Sequence, residues 1–332
     1  MKVGIVGVGF MGTTHAAGWS QTNAEIAGFA AETTAECREL AQKYGVTVYD
    51  DLAAMLPDVD VVDICTPTHL HHAMVLQAVE AGKHVICEKP LALSVAEARE
   101  MVAAARDAGV RLLVAHVVRF FPEYALARKI VYEGRIGRPG VVRLSRGSYR
   151  PKKPVGNWFL DESKSGGIMM DLMIHDYDYA RWVAGEVDSV FAKRVSSDSV
   201  DYGLAILRHR SGALSHIAGA WAYPPPTFRT ALEIAGDEGL VAFDSDSTAP
   251  IQNLILRSDQ QDAPDVALPA SPVSESPYTT QIKEFQRALR DGTAARVNAL
   301  DGLAAVQIAT AAIQSVRSGK AVQLETLQEV KA

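Results

Sequence analysis

Residues 2–12, KVGIVGVGFMG, decide how this chain is read. The run KVGIV at 2–6 has the continuous apolar character of a buried strand. Gly7, Gly9 and Gly12 follow it at the spacing GxGxxG, in front of a stretch able to begin a helix. Each glycine then has its own physical role. Gly7 permits the tight turn, Gly9 lets the backbone approach a pyrophosphate, and Gly12 lets the helix pack close to the strand. The unsatisfied N–H groups of such a helix start, around Phe10, Met11 and Gly12, face the anion.

Further strand-like runs follow at 24–31 (AEIAGFAA), 59–66 (VDVVDICT), 83–88 (KHVICE) and 111–118 (RLLVAHVV). Helical patterns such as TAECRELAQKYG at 34–45 and HLHHAMVLQAVEAG at 69–82 separate them. Strand alternating with helix implies a parallel, doubly wound Rossmann sheet over residues 1–120, in an α/β protein. Ligands of such sheets lie beyond the carboxyl ends of the strands, where Thr66, Pro67, Glu88, Lys89 and Pro90 fall.

The end of the second strand separates NAD from NADP, because an acid there bonds the ribose 2′-hydroxyl while a cation accommodates a 2′-phosphate. Ala31 stands where the acid is expected, with Glu32 next to it, Glu36 close by and Arg38 the nearest cation. Two acids without an adjacent base favour NAD.

After about residue 120 the pattern changes. One helical stretch, 122–134, precedes strand-like runs at 141–148, 188–195, 201–209, 212–221, 229–236 and 239–244. Short turns between consecutive strands imply a mostly antiparallel open sheet in an α+β domain spanning 121–332. One open face of it is a natural dimer surface. Residues 258–277, rich in Ser, Asp, Ala and Pro, read as a surface loop, and two helical patterns follow at 279–292 and 299–319.

Residues 168–184, IMMDLMIHDYDYARWVA, have helical length and are apolar on most sides. Asp171, His175 and Asp178 interrupt them at i, i+4 and i+7, one face of a continuous helix. Ionisable groups on a buried face need partners, which a structural pairing or a polar substrate cleft can supply.

The segment 82–90 (GKHVICEKP), with TPTHLHH at 66–72 and SGGIMMDLMIHDYDYARW at 165–182, resembles the Gfo/Idh/MocA oxidoreductases. Order and spacing match over essentially the whole chain, with the nearest likeness to inositol 2-dehydrogenases and related sugar dehydrogenases. The resemblance implies a catalytic group of Lys89, Asp171 and His175, a histidine near the cofactor at His69, and dimers or tetramers. The missing acid at Ala31 departs from the commoner pattern and bears on cofactor choice.

Oxidising a carbinol requires a base for the hydroxyl proton. A lysine, ordinarily near 10.4, must fall to neutrality at a cost of about 4 kcal/mol, whereas histidine near 6.5 is already poised. His175 is therefore expected to take the proton, with Asp171 setting its tautomer and Lys89 donating to the substrate oxygen.

Other candidates carry two readings. His69, His71 and His72 suggest a metal site, but no acid or cysteine cluster completes a ligand set, and no metal is expected. Arg119, at the domain junction, and Trp158 are candidate substrate contacts, Trp158 by stacking on a sugar ring. Arg150, Lys152 and Lys153 form a cationic stretch before Asn157.

A net charge of −6 offers no basic surface for nucleic acid. Cys37, Cys65 and Cys87 are too few and too scattered for a disulfide framework. Without a cleavable leader or an apparent run of some 18 apolar residues, the expectation is a cytoplasmic enzyme acting on a small polyol, away from membranes. Two other functions stay open: glycoside hydrolysis by transient oxidation on a retained NAD, and a non-catalytic dinucleotide sensor.

Overall fold

A computed structural model describes residues 1–151, 158–246 and 275–326. The chain forms two compact units. Met1–Phe120 and the described residues from 275 to Val306 make the first; Phe121 to residue 246 and Gln307–Thr326 make the second. A single cut after 120 therefore leaves out a return of the chain into the first unit. The reason lies in packing, because the far helix α10 (Pro277–Asp291) is seated against α1 (Phe10–Trp19), where Gly18 leaves room for Ile282. Arg111 adds hydrogen bonds to the carbonyls of Ala288 and Thr293, at 2.6 and 2.7 Å.

The first unit is built on β1 (Lys2–Val6), β2 (Glu25–Ala30), β3 (Thr47–Val48), β4 (Val61–Ile64), β5 (His84–Glu88) and β6 (Leu112–Ala115). All pairings are parallel and the spatial order is β3-β2-β1-β4-β5-β6, the doubly wound order expected of a Rossmann sheet. Between the strands run α1, α2 (Thr34–Tyr44), the short α3 (Leu52–Met55), α4 (His71–Glu80) and α5 (Val95–Asp107). The central strands are buried along nearly all their length because helices cover both faces. Ser94 and Glu97 start α5 with a reciprocal capping box.

The second unit holds α6 (Pro122–Tyr132), β7 (Pro139–Ser148), α7 (Glu162–Ser165), α8 (Gly167–Asp171), α9 (Ile174–Ala184), β8 (Val187–Ser196), β9 (Asp201–His209), β10 (Leu214–Trp221), β11 (Phe228–Gly236) and β12 (Leu240–Asp244). Its sheet runs β12-β11-β7-β10-β9-β8-β13, with β13 at Val322–Gln323. Every pairing is antiparallel except β7 with β10. That exception follows from the long α7–α9 and β8–β9 connection between those two strands. One face is buried; on the other, Phe191, Val195, Tyr202, Leu204 and Leu214 remain exposed.

α11 (Ala299–Ser318) has the length and composition of a membrane span, which the expectation that no such stretch exists overlooked. Its apolar side chains from Leu303 to Val306 and at Ile308, Ala309, Ala311 and Ala312 are buried in the fold, and Asp301 lies 3.2 Å from Arg119. An apolar helix whose side chains already have protein neighbours is a core helix.

Candidate active site

The first unit presents a cradle at the switch between β1 and β4. Gly7 turns the chain with φ of 88°, and a methyl group there would strike the backbone of Cys65 and Thr66. A methyl on Gly12 would strike the carbonyl of Gly7, so α1 sits directly on the turn. Gly9 differs: nothing lies within 4 Å of the position its Cβ would take. It caps α1, a helix with no side-chain cap and no acid in its first turn. The turn at Gly7 and the close packing at Gly12 take the form that the spacing predicts, and the space over Gly9 leaves the helix start beside Phe10 and Met11 open.

The loops after β4 and β5 are stapled together by His71. Its Nδ1 lies 2.8 Å from the carbonyl oxygen of Pro90 and its Nε2 2.9 Å from that of Thr66. His71 is buried, and burial pushes its pKa down while the two carbonyls work against that. His69, the histidine expected near the cofactor, is exposed at the start of this segment, while His71 is buried between the two loops. His72 pairs at 2.9 Å with Glu100 on α5. His71 and His72 thus face different partners.

Glu88 also departs from its expected direction. Only 6% exposed, its carboxylate turns inward, accepting from the backbone N–H of Lys89 at 3.0 Å and lying 3.1 Å from His15 Nε2. Lys89 itself is half-buried at the end of β5. Ala31 is half-buried and Glu32 exposed just past β2; Thr66 and Pro67 are half-buried past β4. Arg119 is 1% exposed, donates to the carbonyl of Arg296 at 2.8 Å and pairs with Asp301, so its guanidinium is committed to the scaffold.

In the second unit the expected single helix at 168–184 is two helices, α8 and α9, parted at Leu172 and Met173. The ladder is offset there: Met173 N–H reaches back to Ile168 O at 3.0 Å, a five-residue step. The break seats methionines in a notch. Gly203 on β9 and Gly219 on β10 are register partners, and a methyl group on either would collide with Met173. Asp171 closes α8 and His175 opens α9, so a turn, rather than one continuous helix face, relates them.

Asp171 is 6% exposed. From Gly167 to Ala180 every residue is buried except His175, which is half-buried. Its neighbour Asp176 is held by Arg146 of β7 through two hydrogen bonds of 2.9 Å, both side chains being buried. Asp178, left out of the catalytic set on sequence grounds, is 1% exposed. Trp158 stacks on Phe159 with ring centroids 4.0 Å apart, while Lys152, Lys153 and Asn157 lie outside the described residues, as does most of the 258–277 loop.

Sequence reasoning missed a buried cluster under the cradle. His15 Nδ1 lies 2.9 Å from Asp63 Oδ2, Trp19 donates to the same oxygen at 2.7 Å, and Cys65 Sγ is 3.4 Å from the imidazole. A carboxylate in the middle of an apolar strand was the available signal, since a buried charge demands a partner.

Glycine turn, open helix start and 3-2-1-4-5-6 sheet together define a dinucleotide-binding Rossmann domain, followed in this chain by a second, mostly antiparallel domain. The chain belongs to the Gfo/Idh/MocA oxidoreductases: the family's NAD-binding Rossmann-fold model matches residues 1–116 and its C-terminal domain model residues 124–242. It is 32% identical over 279 residues to a 1,5-anhydro-D-fructose reductase of Ensifer adhaerens, covering 81% of each chain. It is 29% identical to the myo-inositol 2-dehydrogenase of Thermotoga maritima, over 98% of this chain and 99% of that one. Among solved structures, GenD2 from gentamicin A biosynthesis, in complex with NAD, superposes with a TM-score of 0.86 at 26% identity, over 98% of this chain and 97% of that one.

Proposed function

We propose that this oxidoreductase uses NAD to oxidise a secondary hydroxyl of a cyclitol or sugar. The observation that carries the reading is His175, the one side chain left partly exposed between Gly167 and Ala180. A folded core gains nothing by leaving a single imidazole open; a base that must meet its substrate requires it.

The dinucleotide would lie on Gly7, Gly9 and Gly12, with Phe10 and Met11 at the helix start, Thr66, Pro67 and Pro90 along the crevice, and Glu32 beside the adenosine ribose. The nicotinamide, when bound, supplies the hydride acceptor. His175 takes the hydroxyl proton, Asp171 orients its imidazole, and Lys89 donates to the substrate oxygen as negative charge develops there. Glu32 without a neighbouring base favours an unphosphorylated ribose. The relatives named for anhydrofructose and myo-inositol support a polyol of that size and polarity. We further propose a cytoplasmic homo-oligomer, joined through the open sheet face of Phe191, Val195, Tyr202 and Leu204.

The test is reduced-nicotinamide absorbance with NAD or NADP and a panel of inositols, aldoses, sugar acids and sugar phosphates. Reduction of NAD by one inositol or sugar supports the reading. Silence across the panel with NAD binding intact overturns it, and faster turnover with NADP overturns the cofactor assignment.

A further inference from the structure

Beneath the cradle, four elements converge on one imidazole. His15 and Trp19 come from α1, Asp63 from β4, Cys65 from the loop after β4, and Glu88 from the end of β5. His15 and Asp63 are completely buried. The His15 ring lies between two acids, with Nδ1 at 3.0 and 2.9 Å from the two Asp63 oxygens and Nε2 at 3.1 Å from Glu88 Oε1. The Nε2 contact is close without being a well-aligned hydrogen bond.

Both carboxylates accept from groups that can only donate: the Trp19 indole N–H on Asp63 and the Lys89 backbone N–H on Glu88. Ionised at both positions, they set two buried negative charges against the ring. A neutral imidazole would then aim a lone pair at one of them, whereas an imidazolium carries a proton toward each. Burial by itself would lower the pKa of His15, but the charge and hydrogen bond of Asp63 lead the effects that hold it well above the ordinary value.

We propose that His15 is a protonated positioning residue, clamped between Asp63 and Glu88, which fixes the Glu88 carboxylate and through it the backbone from which Lys89 projects. Its bearing on catalysis rests on the role proposed for Lys89; the clamp itself does not. Both oxygens of Glu88 are in use, one by His15 and one by the Lys89 amide. Loss of the imidazolium frees the first and lets the second swing. A metal is the rival occupant, since ligand atoms of His15, Asp63 and Cys65 lie within 4.8 Å of one another. Against it, the Trp19 N–H already points at Asp63 and occupies one of its oxygens.

The experiment uses the whole chain without cofactor. Long-range nitrogen–proton correlation on histidine-labelled protein should give one imidazolium, with both nitrogens protonated at pH 8.5, that disappears in His15→Gln. In the same variant the Lys89 amide should exchange with solvent at least tenfold faster, while the Ile64 and Cys87 amides keep their rates. Should His15→Gln not fold, Glu88→Gln keeps the amide acceptor but removes one charge, and His15 should then titrate at a measurably lower pH. A neutral His15 at pH 8.5, an unchanged Lys89 amide, an unmoved titration in Glu88→Gln, or stoichiometric metal in the purified protein each overturn the proposal. Failure of the polyol panel leaves all four readouts intact.

Discussion

Arg146 grips Asp176 with two parallel hydrogen bonds of 2.9 Å, in a buried setting one residue beyond His175. The guanidinium also lies 5.9 Å from the Tyr124 ring and 6.0 Å from that of Phe228, which adds cation–π contact on both sides. The pair ties the first turn of α9 to β7, so the placement of His175 depends on a sheet residue that need not meet substrate. Removing one partner strands a buried charge. Asp176→Asn is therefore expected to cost about 3–5 kcal/mol, read as a lowered denaturant midpoint at unchanged m-value.

His175→Ala should lower kcat about 10²–10⁴-fold, the usual contribution of a positioned base. Lys89→Met should retain more of kcat than His175→Ala does. Steady-state rates on the polyol identified by the panel decide it, and the opposite order would make the lysine the base.

Gly7 and Gly9 separate fold from cofactor. Gly7→Ala meets backbone and a φ of 88°, and is expected to destabilise the first unit. Gly9→Ala enters open space, so the melting temperature should hold while the dissociation constant for NADH, measured by fluorescence titration, rises.

His15 makes a prediction about alkaline pH. Its pKa in the fold is raised above the unfolded value, so its stabilising charge is fully present below about 6.5 and is lost as pH rises through the folded value. Asp63, Glu88 and Cys65 are the groups that face it. The stability gap between the native chain and His15→Gln should narrow from pH 6.5 upward, as urea titrations at pH 6.5, 8 and 9.5 would show.

Most of the architecture was legible because periodicity reports burial. The apolar runs at 59–66 and 83–88 became β4 and β5, and the C-terminal alternation gave β7 to β12. β3 and β13 were not legible: each is two residues long, too short to carry a period. The break between α8 and α9 was hidden for another reason, since neither proline nor glycine marks it. Its cause, the glycines at 203 and 219, lies more than about thirty residues downstream. Lys89, Asp171 and His175 were read through family motifs, whereas His71 and His15 hold their places through partners distant in sequence, Pro90 and Asp63.

The Gly203–Gly219 notch shows how a reactive geometry can depend on atoms that are left out. Two hydrogens on neighbouring strands set how deeply Met173 sinks, and thereby the height at which α9 begins. A single methyl there would press on the Met173 side chain, two residues before His175, without altering any chemical group on the imidazole. Selection for activity would then fall on two residues that neither bind nor react.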